Sequence, residues 1–321
     1  MAIKNIKKIM EKQGYRFIGK HSAVKICRWT RKSLIDEREC YKSKFYGIKS
    51  WECCQMSPFI DCMNQCIHCW RAIELNLGAN LNKKEIDNPK EIIDCCILEQ
   101  RKLLSGFKGN KKINLKKFKE AQEPMQFAIS LLGEPTLYPR LAELILELRK
   151  RGKTSFLVTN GLLPEKLLEL KKKKALPTQL YISLNYPNES LFRKITNNKE
   201  KGAWKKFMKT LALMPKLPTR KVIRMTLVRE LNIADNMIED YAKLIKKAMP
   251  DFIEVKGYIS VGFARQRLGY DRMPSHNEIK EFAKHLIKHL PEYNLLDEKE
   301  ESKVVLLGKS KTRMKIKDKE I

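Results

Sequence analysis

The sequence has no segment that would place it in a membrane or outside the cell. Its 321 residues contain no run of 18 or more apolar residues, which a membrane-spanning helix needs. The basic N-terminal stretch, residues 1–17, is followed by neither a long apolar stretch nor a small-residue cleavage site, as a secretory signal would be. These absences predict a cytoplasmic protein with no membrane span.

Acidic residues are scarce relative to basic ones. The chain has 66 Lys and Arg but 37 Asp and Glu, and its formal net charge is +29. Residues 1–50 hold 14 Lys and Arg against 4 Asp and Glu, and further basic stretches lie at 171–174 and 303–321. A lysine-rich proteome is the ordinary alternative, but it normally raises Glu together with Lys. The imbalance therefore favours a polyanionic partner, in particular a nucleic acid.

Short apolar runs alternate with amphipathic segments along most of the chain. The segment 141–148, for example, repeats its leucines and isoleucine at the spacing of one helix face. About six such βα units indicate an α/β fold, an incomplete (β/α)6-type TIM barrel. We expect a basic N-terminal extension (1–52), the barrel core (53–291) and a basic C-terminal extension (292–321). The predicted strands lie at 53–59, 125–132, 154–161, 179–185, 221–228 and 251–258.

Three cysteines follow the first predicted strand, at Cys62, Cys66 and Cys69. This C-x3-C-x2-C spacing suits three corners of a [4Fe–4S] cluster and leaves the fourth iron open to a small chelating molecule. A zinc site would need a fourth ligand, for which Cys53 or Cys54 is available. Iron–sulfur is the preferred interpretation, and zinc stays open.

A second set of cysteines is spaced thirteen residues apart, at Cys27, Cys40 and Cys53. Free cysteines are often buried as small hydrophobic residues, but the neighbours of these three are polar and basic. The pattern therefore favours a second iron–sulfur centre, with Cys54 as the alternative to Cys53. Two further cysteines, at positions 95 and 96, lie in a helical apolar pattern and are predicted to be core residues.

The first cysteine set resembles the radical S-adenosylmethionine (SAM) superfamily, in which this signature lies on the loop after the first barrel strand. His68 stands where that family usually has another aromatic residue. The resemblance implies that SAM chelates the open iron and that an electron from the cluster cleaves it to methionine and a 5′-deoxyadenosyl radical.

The turn Gly133-Glu134-Pro135 follows the second predicted strand, where the superfamily places a turn over the methionine amine of SAM. Leu132 replaces the first glycine of the family pattern, and an ordinary turn before Pro135 is the alternative. The resemblance further implies that residues at the ends of later strands contact the ribose or adenine of SAM. These residues are Asn160, Gly161, Ser183, Asn185, Lys256 and Gly257.

Longer stretches resemble the archaeal tRNA 4-demethylwyosine synthases over nearly the whole chain. They include EKQGYRFIGKHSAVKICRW, CYKSKFYGI, CMNQCIHCWR, GEPTLYPRL and EVKGYISVGFARQRL. The resemblance implies a radical SAM lyase that acts on N1-methylguanosine next to the anticodon of tRNA(Phe). Pyruvate would supply two carbons to close the third ring and would lose its carboxylate carbon. Two [4Fe–4S] clusters, SAM and an external electron donor are implied, and we expect a monomer.

The family resemblance also assigns roles within the N-terminal extension. Cys27, Cys40 and Cys53 would ligate the second cluster, which would hold or polarise pyruvate, and Lys42 would form a Schiff base with it. Lys44 is the alternative lysine. A flat side chain that stacks on the splayed-out base is also expected, although each candidate could instead be a core residue. The candidates are Trp29, Phe45, Tyr46 and Trp70.

Two other functions fit parts of the pattern. One is another radical SAM enzyme that modifies RNA, such as a methylthiotransferase, although that class typically carries an additional RNA-binding domain. The other is a non-enzymatic zinc or iron–sulfur protein that binds RNA. Metal content separates this second alternative from the enzyme: about eight irons per chain would favour two cubanes, whereas zinc would support the binding protein.

Overall fold

The structure is a computed structural model, and it describes residues 2–73, 85–317 and 320. None of the helices within these residues is both long enough and apolar enough to span a bilayer. The helices are α1 (Ala2–Lys12), α2 (Arg28–Ser33), α3 (Tyr41–Tyr46), α4 (Pro89–Leu104), α5 (Leu115–Glu120), α6 (Leu141–Lys150), α7 (Pro164–Lys172), α8 (Glu189–Thr196), α9 (Ala203–Leu213), α10 (Ile238–Ala248), α11 (Ala264–Leu268) and α12 (His276–Lys288). The strands are β1 (Tyr15–Ile18), β2 (Ser22–Lys25), β3 (Cys53–Ser57), β4 (Gln126–Ile129), β5 (Thr154–Thr159), β6 (Gln179–Ser183), β7 (Arg220–Leu227), β8 (Phe252–Gly257), β9 (Asn294–Lys299) and β10 (Val304–Gly308).

These strands form one open sheet in the order β1-β2-β3-β4-β5-β6-β7-β8-β10-β9. Strands β3 to β8 are parallel to one another, and each matches one of the six predicted strands. The prediction of an incomplete barrel with six βα units is confirmed. Because successive parallel strands end at the same edge of a sheet, their following loops meet at one end of the barrel.

The sheet also contains four strands that the apolar pattern did not predict. The hairpin of β1 and β2 joins β3 in antiparallel orientation, and β10 with β9 does the same beside β8. Residues of the predicted extensions 1–52 and 292–321 therefore continue the same sheet as the barrel core. The boundaries at 52 and 291 stay predictions.

Helix α3 lies on the inner face of the sheet, which we define as the face that contacts this helix. Its residues Phe45 and Tyr46 pack with side chains from β5, β6, β7, β8 and β10 in one buried cluster. Glu254 on β8 is fully buried, and each of its carboxylate oxygens accepts one 2.8 Å hydrogen bond. Oε2 accepts from the hydroxyl of Tyr41, and Oε1 accepts from the hydroxyl of Tyr46. A segment near the N-terminus is thus fixed to a strand more than two hundred residues later.

The outer face of the sheet packs against the amphipathic helices. In α4, Cys96 is buried while Cys95 is exposed. The prediction that both are core residues is therefore wrong for Cys95. Consecutive residues of a helix point about 100° apart, so an amphipathic helix that buries one of them turns the other toward solvent.

Candidate active site

A cavity of about 350 Å³ lies at the carboxyl ends of the parallel strands. One wall is the loop after β3, from which Cys62, Cys66 and Cys69 line the cavity. The other walls are residues at the ends of β4 to β8, including Glu134 and Lys256. The structure thus brings the first cysteine set together with the predicted strand-end residues.

The cysteine loop is held by backbone hydrogen bonds and by one arginine. The backbone N–H of Ile67 donates to the carbonyl of Ile195 (3.0 Å), just before the end of α8. Arg267 of α11 donates to the carbonyls of Ile67 (3.0 Å), Cys69 and Arg71. These contacts hold the backbone of the cysteine loop against α8 and α11.

Arg71 lies beside the three thiols and favours their thiolate forms. Burial opposes its charge, but attraction to Cys62, Cys69 and Cys66 raises the pKa of Arg71 overall. Burial raises the pKa of Cys62 to about 12, although Arg71 acts against this shift. A buried guanidinium beside three thiols suits a group that takes all three as thiolates, as an iron–sulfur cluster does.

The turn at Gly133 and Glu134 packs tightly against the chain that leads to the cysteine loop. Gly133 has a φ of +63°, and a Cβ there would collide with the backbone of Phe59 and lie 2.6 Å from the carbonyl oxygen of Asp61. The N–H of Glu134 donates to that same carbonyl, at 2.6 Å. Only glycine fits both this conformation and this close approach.

The Glu134 carboxylate is buried and anchored by two neighbouring loops. One oxygen accepts from the hydroxyls of Thr136 and Thr159 (2.6 Å each), and the other accepts from the backbone N–H of Asn160 (2.8 Å). Burial raises the pKa of Glu134, while these donors oppose the shift. The second oxygen has one described donor and room for another, which suits an amine. Pro135 begins a short 3₁₀ turn and is buried behind this carboxylate.

The remaining strand-end residues differ in their contacts. The amide nitrogen of Asn160 lies 3.7 Å from the sulfur of Cys62, and Ser183 lines the cavity. Lys256 is half-buried and donates to the carbonyl of Ser302 (2.5 Å). Burial lowers the pKa of Lys256 to about 8.

His68 has a buried donor for which the described residues offer no acceptor. The Asn185 carbonyl oxygen accepts from the N–H of Thr226, so its amide NH₂ faces the His68 Nε2 at 3.3 Å and donates to it. Nε2 is then the acceptor and Nδ1 carries the proton. Nδ1 is buried and has no hydrogen-bond partner among the described residues. An acceptor from a bound group, such as a cluster sulfide or SAM, would satisfy it.

The donor set fits a cluster better than one ion. Among residues 2–73, 85–317 and 320, no three His, Cys, Asp or Glu side chains are arranged around a single metal position. Cubane ligands stand farther apart, because iron and sulfide atoms lie between them. The three thiols, Arg71 and the orphan His68 donor therefore fit a [4Fe–4S] cluster that Cys62, Cys66 and Cys69 would hold.

The second cysteine set also comes together. Burial raises the pKa of Cys53 well above its usual value, and the neighbouring thiols of Cys27 and Cys40 add to the shift. Cys54 points the other way and hydrogen-bonds with Cys96 in the outer core. Because side chains alternate along a strand, only one of Cys53 and Cys54 can face the other cysteines.

The two candidate lysines lie in different surroundings. Lys42 is 8% exposed, and its ammonium lies over the rings of Phe156 and Tyr181, at 5.0 and 4.7 Å from their centroids. The ammonium forms no hydrogen bond or ion pair within the described part of the chain. Lys44 is about half exposed and pairs with Asp297 at 2.7 Å. A buried amine without a polar partner is the better nucleophile of the two.

Sequence reasoning missed Arg224, which lies on β7 opposite Ser183 and lines the cavity. Its half-buried guanidinium has no hydrogen bond or ion pair with the residues that the structure describes. A single arginine inside the apolar run KVIRMTLV was the available signal. Together with Lys256, one strand away, it can bind a carboxylate.

The aromatic candidates divide by burial. Phe45 and Tyr46 are fully buried in the inner-face cluster, so the prediction that either stacks on a base is wrong. Trp29 and Trp70 are half-buried and line the cavity. Their flat rings remain accessible from it.

Family profiles match most of the chain. A profile described as the Radical SAM superfamily matches residues 56–245. A second, described as Wyosine base formation, matches residues 247–309, which include α11 and its contacts to the cysteine loop.

Proteins of known function match over almost the whole length. The chain is 49% identical to the S-adenosyl-L-methionine-dependent tRNA 4-demethylwyosine synthase of Pyrococcus abyssi, over 93% of this chain and 87% of that protein. It is 39% identical to the Methanocaldococcus jannaschii protein of the same name, over 96% of each. Of the human homologue TYW1, at 33% identity, it covers 41%.

Two solved structures of TYW1 are similar to this chain over almost its whole length. A structure of TYW1 with a lysine–pyruvate adduct bound superposes with a TM-score of 0.84 at 37% identity, over 98% of both chains. A crystal structure of archaeal TYW1 gives 0.76 at 34% identity, over 95% of both. The chain belongs to the S-adenosyl-L-methionine-dependent tRNA 4-demethylwyosine synthases, a family of radical SAM enzymes that form the wyosine base of tRNA.

Proposed function

We propose that the protein condenses N1-methylguanosine next to the anticodon of tRNA(Phe) with pyruvate, and that Lys42 holds pyruvate during the reaction. The observation that carries this proposal is the buried amine of Lys42, which lies among aromatic rings without an acidic partner. A lysine–pyruvate adduct in a similar structure supports it.

Two cofactor sites serve this reaction. Cys62, Cys66 and Cys69 would hold a cluster that, once reduced by an external donor, would supply the electron for cleavage of SAM to methionine and a 5′-deoxyadenosyl radical, and this radical would remove hydrogen from the N-methyl group. Glu134 holds the methionine amine, and Asn160, Ser183 and Lys256 contact the rest of SAM. Cys27, Cys40 and Cys53 hold a second [4Fe–4S] cluster.

Lys42 binds pyruvate through a condensation that the surroundings favour. Its amine nitrogen adds to the ketone carbon of pyruvate, the carbon–oxygen bond breaks, and the oxygen leaves as water. The aromatic rings exclude bulk water from the imine and so slow its hydrolysis. Arg224 and Lys256 lie on adjacent strands and can bind the carboxylate of pyruvate or of SAM. We place the protein in the cytoplasm as a monomeric lyase.

Borohydride trapping tests this assignment. Protein incubated anaerobically with pyruvate and then reduced should gain a stable adduct on Lys42, seen by peptide mass spectrometry. Lys42→Arg should lose the adduct and the tricyclic product, while Lys44→Arg, a matched change in the same helix, should keep both. An adduct on Lys44 in the unmodified protein would overturn the assignment.

The cysteine variants separate the two clusters. Cys62→Ala should abolish formation of 5′-deoxyadenosine, whereas Cys27→Ala should retain it and lose the tricyclic base. Iron analysis should fall from about eight to about four per chain in either variant. Full product formation by Cys27→Ala would show that the second cluster is dispensable.

A further inference from the structure

A second cleft, of about 620 Å³, adjoins the active-site cavity. It lies between the β1–β2 hairpin and the segment 261–266, and we call it the hairpin groove. Trp70, Leu131 and Val261 line both spaces, so the groove lies directly beside the cavity. Cys27 also lines the groove.

The charges of the hairpin groove have one sign. Lys25, Arg28 and Arg265 line it, and no acidic side chain is among the residues that the structure places there. None of the three pairs with a carboxylate in the described residues. The Lys25 ammonium lies over the ring of Tyr15, 4.0 Å from its centroid, and is held inside the groove.

The other lining groups are amides and rings. Gln13, Gln55 and Gln266 present side-chain amides, which can donate to and accept from base edges. Trp70 stands where the groove meets the cavity, and its indole N–H donates to the carbonyl of Leu131 at 3.0 Å. That bond restricts the orientation of the ring.

We propose that the hairpin groove binds the single-stranded RNA segment next to the reacting nucleotide. Lys25, Arg28 and Arg265 contact its phosphates, and Trp70 stacks on a base at the entrance to the cavity. Single strands are bound by this combination of unpaired cations and flat side chains. The inference depends on the proposed function in one respect, namely that the substrate is a tRNA.

The lysine run 171–174 lies too far from the cavity to contact the RNA segment next to the reacting nucleotide. Helix α7 starts at Pro164, after the carboxyl end of β5, and ends at Lys172, before β6 begins. Its last turn therefore lies at the amino end of the sheet, opposite the cavity. This run provides a matched control, because its lysines carry the same charge at the far end of the molecule.

The test is salt-dependent binding of a fluorescently labelled anticodon stem-loop that contains N1-methylguanosine, measured with the cluster-loaded protein. The slope of log Kd against log salt should fall by about 0.7 per removed cation, so by about 1.4 in Arg28→Gln/Arg265→Gln. Lys171→Gln/Lys172→Gln should keep the slope of the unchanged protein. Arg28→Lys/Arg265→Lys should restore it, which separates lost charge from misfolding.

Three outcomes would overturn the inference. They are an unchanged slope in the groove variant, an equal loss in the lysine-run variant, and equal affinity for a fully paired RNA duplex of two strands. Borohydride trapping on Lys42 uses no RNA, so failure there removes the proposed function and leaves the groove result standing.

Discussion

The contact between α3 and β8 predicts a measurable stability difference at Tyr46. Its hydroxyl donates to a buried carboxylate oxygen of Glu254 at 2.8 Å, and both residues are fully buried. Tyr46→Phe removes that donor but keeps the ring, which makes edge contacts with Phe156 and Phe252. A hydrogen bond to a charged group contributes about 1.5–3 kcal/mol, so we expect the free energy of unfolding to fall by that amount.

Tyr293 provides the matched control. Its hydroxyl donates to a neutral acceptor, the carbonyl of Pro250, at 2.7 Å. Tyr293→Phe should therefore cost about 0.5–1.5 kcal/mol. Urea unfolding of the cluster-free protein, followed by circular dichroism, measures both variants under the same conditions.

A double-mutant cycle isolates the pair. In a Glu254→Gln background the acceptor is neutral, so Tyr46→Phe should cost less than in the unchanged protein. If Tyr46→Phe costs no more than Tyr293→Phe, or costs the same in both backgrounds, then Glu254 does not anchor α3 and the reasoning is refuted.

Three further predictions follow from single contacts. Gly133→Ala should destabilise the protein by about 1–3 kcal/mol more than Gly152→Ala. Both glycines have a positive φ, but only a Cβ at position 133 would collide with backbone atoms. Equal unfolding midpoints of the two variants would contradict this prediction. Ser275→Ala removes the capping box of α12 and should cost about 1 kcal/mol in urea unfolding, where no loss would show that the cap is not needed. Arg224→Gln should weaken binding of pyruvate or SAM by about tenfold or more, because a charge-assisted hydrogen bond of about 1.5 kcal/mol is lost. Calorimetry with each ligand would identify which carboxylate Arg224 binds. Unchanged affinity for both ligands would exclude this role.

The sequence predicted the features that have a local signal. The six parallel strands are short apolar runs that end in turns, and the cysteine spacing lies within eight residues. Strands β1 and β2 have four residues each in a basic segment, which gives too short a pattern to detect. The position of α3 depends on Glu254, far away in sequence, and no local pattern encodes such a contact.

In the candidate active site, too, the features with a local sequence signal could be predicted and the others could not. Cys62, Cys66 and Cys69 were predicted as cluster ligands from their spacing, but Cys53 and Cys54 could be distinguished only once the pleat of β3 set which side each faces. Phe45 and Tyr46 were misjudged because flanking a proposed ligand in sequence says nothing about burial. The groove cations come from the segments 25–28 and 265, which only the fold brings together.

Nucleoside mass spectrometry tests the central claim most directly. Cluster-loaded protein would be incubated anaerobically with tRNA that contains N1-methylguanosine, together with SAM, a reductant and pyruvate. The account predicts a tricyclic nucleoside that is absent when pyruvate is omitted. Formation of 5′-deoxyadenosine with an unchanged guanosine, in protein shown to carry intact clusters, would contradict it.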